Sequence, residues 1–362
     1  MTTRRHFLAA SAAAAGGIAL GLRPADAIAA SPDAPLPASR AAGLALSTQP
    51  GRVFKNGAGP SALGTEHWLF NLVLKSGQAD PPQLESLVVR ALSGAAVRRT
   101  STWPAAQLGQ ANLLAAGSMP LDGEWAVAAF RIADAAPAEL GIDQVECELR
   151  CRTSQGAQHL AVSVPLRTYT QKTRLVFPFD GLGMISQGAA WNGGHRNRSG
   201  MFAVDAIGLD THYAAMRSDS EAASAAAGWG RPIIAPAAGT VVVARNDRPD
   251  QPVLGVSDPA FFVPEFPNGG DPGNHVVIDH GNGEFSLLCH FQQGSVSVAE
   301  GQKVEQGQPI GRLGNSGDSS SPHIHHQLQD GPRWTQADAL PHLYTNGPED
   351  RLDRGAYFDA VR

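Results

Sequence analysis

The sequence predicts a mainly β protein with two domains. The chain has 362 residues, which is enough for two domains of ordinary size. Glycine (40 residues) and proline (26) are abundant, and charged residues make up only 17%, a composition that favours short strands and turns over long helices. Hydrophobic residues make up 43%, so each domain can bury a core. The net charge of −5, without a basic stripe, argues against nucleic acid as the primary partner.

The N-terminus predicts an export signal. Arg4 and Arg5 precede a stretch of small and apolar residues over 9–22, and the sequence at 25–27 fits an A-x-A cleavage site. Paired arginines followed by Phe and Leu favour a signal of the twin-arginine type, although an ordinary secretory signal has a similar apolar stretch. We therefore expect residues 1–27 to be removed and the mature protein to be periplasmic or extracellular. No later apolar run is long enough to span a bilayer.

A linker over 28–47, rich in Ala, Pro and Ser, is predicted to precede a β-sandwich-like domain over 48–173. Short apolar runs separated by turn residues predict strands. The candidate strands cover 67–74, 84–91, 124–132, 144–152 and 159–166. In the run 144–152, Cys147 and Cys151 share one face. Four residues of strand separate their Cα atoms by roughly 13 Å, too far for a disulfide.

Residues 174–345 predict a second β domain, followed by a C-terminal tail over 346–362. Strand and turn patterns recur along this region, and 274–291 reads as a hairpin. In its second strand, alternation puts His290 on the face opposite Cys289, which we expect to be a small core residue. The Ala-rich run at 218–227 is the only segment that favours a helix.

His323 and His325 form the most informative pair in this second region. Alternate residues of a strand point to the same face, with Cα atoms roughly 6.5–7 Å apart. A loop rich in glycine and serine leads into this strand. Two imidazoles on one face suit a metal ion, or one ligand beside one acid or base. The alternative is a solvent-exposed pair on an edge strand.

Several segments between residues 231 and 329 together match a known family in order and spacing. They are Ala235-Pro236-x-x-Gly239-Thr240-Val241, Gly273-Asn274-x-Val276-Val277-Ile278-x-His280-Gly281, Cys289-His290-Phe291, the glycine-containing turns at 301–311, and Ser321-Pro322-His323-Ile324-His325. As a set they resemble the catalytic domain of lysostaphin-type (LytM-like) zinc metallopeptidases. The resemblance implies an antiparallel β fold around a groove, a bound zinc ion, and hydrolysis of peptide bonds in peptidoglycan.

The resemblance also implies roles for particular residues. Asp205 and His325 would be zinc ligands, while His290 and His323 would be non-ligand histidines that handle protons and the oxyanion. The family's first ligand is a histidine four residues before the aspartate, where this chain has Met201. A thioether is a soft ligand and a poor choice for catalytic zinc.

Two interpretations of this departure follow. In the first, His195 folds back and supplies the missing imidazole, since its glycine-rich surroundings allow the backbone to bend. In the second, the site has lost a ligand and the domain is an inactive module that binds peptidoglycan or activates another cell-wall hydrolase. We favour the first. A zinc hydrolase acting on other exported peptides is a further alternative, and the sequence predicts no oligomeric state.

A site of His195, Asp205 and His325 would leave one zinc position for water and lower the pKa of that water to about 7. His323 is the candidate to orient and deprotonate the water, and His290 the candidate to bind the oxyanion or protonate the leaving amine, with the reverse assignment of the two histidines left open. His326 shares a face with Ile324, so we expect it to be a hydrogen-bonded core histidine.

Overall fold

The computed structural model describes residues 39–361 except 42, 57–63, 78–81, 112–119, 122–123, 189–194, 196–197, 263–269, 348–351 and 353. The predicted export signal and residues 28–38 of the predicted linker lie outside the described residues. Among the helices that are described, none has the length and apolar character needed to cross a membrane.

In the described part of the N-terminal region the structure has ten strands and one short α-helix, α1 (Ala105–Ala111). The strands are β1 (Ser39–Ala41), β2 (Leu44–Gln49), β3 (Val53–Asn56), β4 (Thr65–Ser76), β5 (Gln83–Ser93), β6 (Ala96–Pro104), β7 (Pro120–Leu121), β8 (Glu124–Pro137), β9 (Gln144–Thr153) and β10 (Gly156–Thr168). The five strands predicted from the sequence correspond to β4, β5, β8, β9 and β10.

These strands are hydrogen-bonded in the order β1-β2-β4-β3-β10-β9-β5-β6, and β8 pairs with β4. Only the pairing of β10 with β3 along this path is parallel. The two halves of the path share one apolar core, which takes Trp68 and Phe70 from β4 and Val145 and Leu149 from β9. The sandwich-like arrangement is therefore confirmed. Cys147 joins the same core, and all three cysteines of the chain are free thiols, as the strand geometry requires.

The linker prediction is wrong for residues 39–47. Strands β1 and β2 pair with each other, and β2 also pairs with β4. Leu44 and Leu46 are buried in the sandwich core. The segment gains its strand structure from pairing and packing against β4 rather than from local propensity, so its Ala-rich, low-complexity composition was misleading.

The second region contains eleven strands among the described residues, and every pairing between them is antiparallel. They are β11 (Gly181–Gln187), β12 (Val204–Gly208), β13 (Pro232–Ile234), β14 (Gly239–Ala244), β15 (Asn274–Asp279), β16 (Phe285–Phe291), β17 (Lys303–Val304), β18 (Pro309–Arg312), β19 (Ile324–Gln329), β20 (Ala339–Leu340) and β21 (Tyr357–Ala360). The main sheet has the order β17-β14-β15-β16-β19-β12-β11-β21, with β20 paired to β19, while β13 and β18 pair separately. The predicted hairpin at 274–291 is β15 and β16.

The helix predicted at 218–227 does not form. The run contains only a 3₁₀ turn, Ala223–Ala225, between residues in extended conformation. Its backbone folds back on the preceding segment, since the N–H of Arg217 donates to the carbonyl of Ala225 at 2.8 Å. Ala223 and Ala227 are buried. Small side chains here allow close packing, which overrides the helix propensity of alanine.

The C-terminal tail predicted at 346–362 contributes to the second sheet. Strand β21 pairs with β11, and Phe358 and Ala360 lie in the core of this region. The ring of Phe358 lies so close to Gly183 that a Cβ added at position 183 would be 2.4 Å from the ring. The alternation of apolar and polar residues over Tyr357–Ala360 is too short a pattern to predict a strand from the sequence.

Strand β4 is buried on both faces and joins the two regions. Its Trp68 and Phe70 point into the sandwich core, whereas Leu69 packs in the core of the second region together with Phe54 of β3. The ring centroid of Phe54 lies 5.2 Å from that of Tyr169. The N-terminal region therefore contacts the second region through apolar side chains as well as through the connecting chain.

Candidate metal centre

Two adjacent strands place two candidate ligands opposite each other, and His195, which lies outside the strands, meets them there. Strands β12 and β19 pair so that Asp205 lies directly opposite His325. The Nδ1 of His325 is 2.9 Å from Oδ1 of Asp205, and the Nε2 of His195 is 3.3 Å from its Oδ2. One ligand atom from each of the three side chains lies within 4.8 Å of the other two. The structure thus assembles the set that the sequence predicted for zinc.

The chemistry of this set suits a cation. Nε2 of His325 lies 2.8 Å from Oε1 of Gln327, an oxygen that only accepts, so Nε2 carries the hydrogen. The remaining lone pair on Nδ1 then faces the carboxylate of Asp205. Two acceptors at this distance repel each other unless a proton or a metal ion lies between them. Two imidazoles with one carboxylate are also a ligand set of catalytic zinc sites.

The charge of Asp205 is maintained by the imidazoles around it. Burial opposes its ionisation, but His195, His323 and the hydrogen bond to His325 hold the pKa of Asp205 well below its usual range. The pKa of His325 is lowered by burial and raised by Asp205, and the net direction is upward. The centre therefore contains a fixed negative charge that attracts a cation or a proton.

His323 presents a free lone pair to the centre. Its Nδ1 lies 2.7 Å from the carbonyl oxygen of Ser321 and 3.1 Å from the hydroxyl of Ser319. Because the carbonyl only accepts, Nδ1 carries the hydrogen and Nε2 has the lone pair. That Nε2 lies 3.7 Å from Oδ1 of Asp205. His323 can accept a proton beside a carboxylate that would stabilise the resulting charge.

His290 lies beside His323 on the neighbouring strand. The two ring centroids are 4.6 Å apart, and the ring of His325 is 6.1 Å from that of His290. Nδ1 of His290 donates to the carbonyl of Ser316 at 2.8 Å. Burial, with the nearby His323 and His325, lowers the pKa of His290 well below its usual range, so its ring is neutral at pH 7.

The predicted face of His290 requires a correction. Alternation put it opposite Cys289, yet Cys289 lies across from His325 in register, on the face that carries the candidate centre. Leu288 and Phe291 both pack in the main core, so alternation fails between them. A bulge in the pairing of β15 with β16 and a φ of 66° at His290 bring its ring to the side of Cys289.

Two glycines allow the loop before β19 to approach β15. A Cβ on Gly317, which has a φ of 74°, would lie 2.4 Å from the backbone nitrogen of Gly273. This close approach also determines the position of Ser316. Its carbonyl accepts a hydrogen bond from Nδ1 of His290, and its hydroxyl accepts one from the N–H of Asn274 at 2.9 Å. Side chains at either glycine would push apart the two segments that position His290.

Met201 and His326 both belong to the core. Met201 is fully buried in the main apolar cluster with Phe202, so it does not offer its sulfur to the centre. Nδ1 of His326 lies 2.5 Å from the hydroxyl of Tyr344, and Nε2 lies 3.0 Å from that of Ser286. His326 is a hydrogen-bonded core histidine, as predicted.

Sequence reasoning missed Gln327, which contacts a candidate ligand directly. It follows His323 and His325 at the same spacing of two, so strand alternation would have placed it on their face. Asp338, which pairs with Arg198, had no comparable signal because its contacts join distant parts of the chain.

An antiparallel sheet that carries two histidines and one aspartate, with two further histidines beside them, is typical of mononuclear metal-dependent hydrolases. Residues 219–337 match the family model described as peptidase family M23. A segment of 56 residues is 45% identical to the peptidoglycan DD-endopeptidase ShyA of Vibrio cholerae, covering 16% of this chain and 13% of ShyA. ShyC of the same organism is 40% identical over 56 residues, which cover 16% of this chain and 12% of ShyC. The matches span only a small part of these relatives.

The solved structures to which the chain shows similarity include the catalytic domain of lysostaphin from Staphylococcus simulans, at 18% identity, with 44% of this chain and 88% of that chain covered and a TM-score of 0.26. A zinc-containing peptidase from Vibrio cholerae has 12% identity, covers 75% of this chain and 80% of its own, and has a TM-score of 0.29. Helicobacter pylori Csd3 has 12% identity, coverage of 82% and 74%, and a TM-score of 0.29. Similarities with TM-scores this low carry no argument about the fold or about the roles of residues.

Proposed function

We propose that the protein is an exported zinc metalloendopeptidase that hydrolyses peptide bonds in peptidoglycan cross-links or stem peptides. The convergence of His195 and Asp205 on His325, which lies within the residues 219–337 that match the M23 family model, is the observation that carries the proposal. The names of ShyA and ShyC as peptidoglycan DD-endopeptidases support the substrate class. The N-terminal signal supports export, and we propose a boundary near residue 173 between the sandwich and the peptidase domain.

His195, Asp205 and His325 would hold the zinc ion through Nε2, a carboxylate oxygen and Nδ1. When bound, zinc would act as a Lewis acid and lower the pKa of a water molecule, which is the chemistry that amide hydrolysis needs. Gln327 supports this arrangement because it keeps the hydrogen of His325 on Nε2.

His323 would take the proton of the attacking water on Nε2. Its Nδ1 already carries a hydrogen, and Asp205 at 3.7 Å would stabilise the imidazolium that forms. His290 would act on the other side of the scissile bond. Its Nδ1–H is held by the carbonyl of Ser316, so Nε2 has a lone pair that would receive the proton taken up by His323, whose ring lies 4.6 Å away, and pass it to the leaving amine.

Zinc content per chain tests the metal centre. We expect one zinc in the purified mature protein, loss of zinc in His195→Ala, and retention in the control His159→Ala, which changes an exposed histidine of the sandwich. Zinc retained in His195→Ala would remove His195 from the ligand set. No zinc in the parent protein, even after metal is supplied, would favour the inactive module that binds peptidoglycan or activates another hydrolase.

Two substrates test the activity. We expect the zinc-loaded protein to release peptide-bond products from purified sacculi and to leave an unfolded general protein substrate largely intact. Cleavage of the general substrate at an equal rate would instead support a zinc hydrolase of exported peptides.

A further inference from the structure

The loop 198–203, which begins three residues after His195, is held by the turn that follows β19. Three residues after His195, the carbonyl of Arg198 accepts a hydrogen bond from the N–H of Ala339 at 3.2 Å. The guanidinium of Arg198 pairs with the carboxylate of Asp338. A backbone bond and an ion pair thus fix Arg198 to the β19–β20 connection, close in sequence to the candidate ligand.

Asp338 has a second arginine partner, which comes from the N-terminal region. Nε of Arg52 lies 3.8 Å from Oδ2 of Asp338, and Arg52 also pairs with Asp330. Oδ1 of Asp330 accepts from the N–H of Asp338 at 2.7 Å, which closes the turn. Arg198 and Arg52 therefore share one buried carboxylate, although they lie in different regions of the chain.

Arg52 is itself fixed by the sandwich. It precedes Val53 and Phe54 of β3, both of which are buried, and Phe54 packs with Leu69 in the core of the second region. Its guanidinium also lies 5.9 Å from the centre of the Phe54 ring. The position of Arg52 is thereby determined by the contact between the two regions.

Burial makes this arrangement more consequential than a surface ion pair. An exposed pair contributes little to stability, because water screens both charges. Asp338 is only 4% exposed, so a carboxylate that lost one arginine would stay desolvated with part of its charge uncompensated. Loss of one arginine would therefore favour a rearrangement of the turn and of Arg198, which is bound to it.

We infer that Asp338 is a positioning residue through which the N-terminal sandwich holds the loop 198–203, three residues after the candidate ligand His195. Arg52 fixes Asp338 from the sandwich, and Asp338 fixes Arg198 at the start of this loop. The effect on the metal rests on the proposed function, whereas the attachment of the loop does not. The N-terminal region would accordingly act on zinc affinity without contributing a ligand.

Hydrogen–deuterium exchange of the full mature chain tests the attachment without metal. We expect faster exchange in peptides covering 198–203 in Asp338→Asn, Arg52→Gln and Arg198→Gln. The control Arg152→Gln removes an exposed ion pair with Glu85 inside the sandwich and should leave this segment unchanged. Unchanged exchange in both Arg52→Gln and Arg198→Gln would overturn the inference.

Combining the variants tests the order of the contacts. If Arg52 acts through Asp338, Arg52→Gln should add nothing to the exchange rate in the Asp338→Asn background, and equal additional effects would overturn the inference. If Asp338→Asn does not fold, the double variant Arg52→Gln, Arg198→Gln replaces it. An increase in exchange rate smaller than the sum of the two single increases supports the coupling, and an increase equal to that sum overturns it.

Zinc affinity, measured by competition with a chromophoric chelator, gives the second readout. We expect about tenfold weaker binding in Arg52→Gln and in Arg198→Gln, at the lower end of what residues supporting a ligand contribute, and parent affinity in Arg152→Gln. Parent affinity in both variants would overturn the effect on the metal centre. Absence of zinc in the parent would overturn the proposed function, while the exchange experiment would still decide whether the loop is held.

Discussion

Nε2 of His325 lies 2.8 Å from Oε1 of Gln327, the next residue but one on β19. Nε2 of Gln327 donates to Oε1 of Gln329 at 2.5 Å, and Nε2 of Gln329 donates to the carbonyl of Gly331 at 2.7 Å. Because that carbonyl only accepts, it determines the orientation of both amides in turn. A backbone group at the end of the strand thereby selects which nitrogen of His325 has a lone pair for a metal.

Removing the amide of Gln327 should weaken metal binding. We expect Gln327→Leu to bind zinc about 10- to 100-fold more weakly, because His325 would no longer be held with its hydrogen on Nε2. Gln327→Glu keeps an acceptor oxygen and should stay near the parent affinity. Gln155→Leu, at an exposed turn of the sandwich, is the control. Equal affinities of Gln327→Leu and the parent in a chelator competition would contradict this role.

Removing either non-ligand histidine should reduce the rate and leave the metal in place. We expect His323→Ala and His290→Ala each to lower hydrolysis of sacculi by about 10²- to 10⁴-fold, the usual contribution of a positioned acid or base. Zinc should remain at one per chain in both variants, and exposed His212→Ala should retain parent activity. Loss of zinc in His323→Ala would identify it as a ligand instead.

Restoring the family's histidine at position 201 should not create a ligand. Met201 is fully buried in the apolar core, so Met201→His would bury a polar ring without a partner and lower the free energy of unfolding by about 1–3 kcal/mol. Met201→Leu conserves volume and should cost less than about 1.5 kcal/mol. Denaturant unfolding measures both. Recovery of zinc by Met201→His in a His195→Ala background would refute this account.

Stability should fall in moderate acid because of the buried histidines behind the sheet. Burial lowers the pKa of His342 from 6.5 to about 4, so the folded protein holds this ring neutral. The unfolded chain binds a proton first, and stability that is fully present above pH 6.5 is therefore lost as the pH falls towards 4. The difference in pKa corresponds to about 3 kcal/mol.

Unfolding free energies between pH 8 and 4 measure this loss. We expect a flatter profile for His342→Asn, which cannot titrate, and an unchanged profile for exposed His159→Ala. A slope in His342→Asn equal to that of the parent would assign the acid sensitivity to other groups, such as His326 or His280, whose pKa values are also lowered by burial.

The sequence alone predicted which way side chains point wherever the alternation of a regular strand determines it. The shared face of Cys147 and Cys151, the hairpin at 274–291 and the pairing of His323 with His325 all follow from the period of a strand. Alternation failed at His290 because a bulge depends on the register with β15, which no local pattern records. The convergence of His195 on Asp205 is not set by the period of a strand, so it could be expected only through the resemblance. Strands β1, β2 and β21 exist because partners elsewhere in the chain pair with them.

Cys289 lies across the strand pair from His325, and its thiol is close enough to Asp205 for that charge to act on it. Burial, reinforced by Asp205 and Asp271, raises the pKa of this thiol well above its usual range. A thiol that does not ionise is a poor nucleophile and a poor target for oxidants. The sulfur beside the candidate centre therefore stays a neutral thiol, a weaker nucleophile and a weaker metal ligand than the thiolate would be.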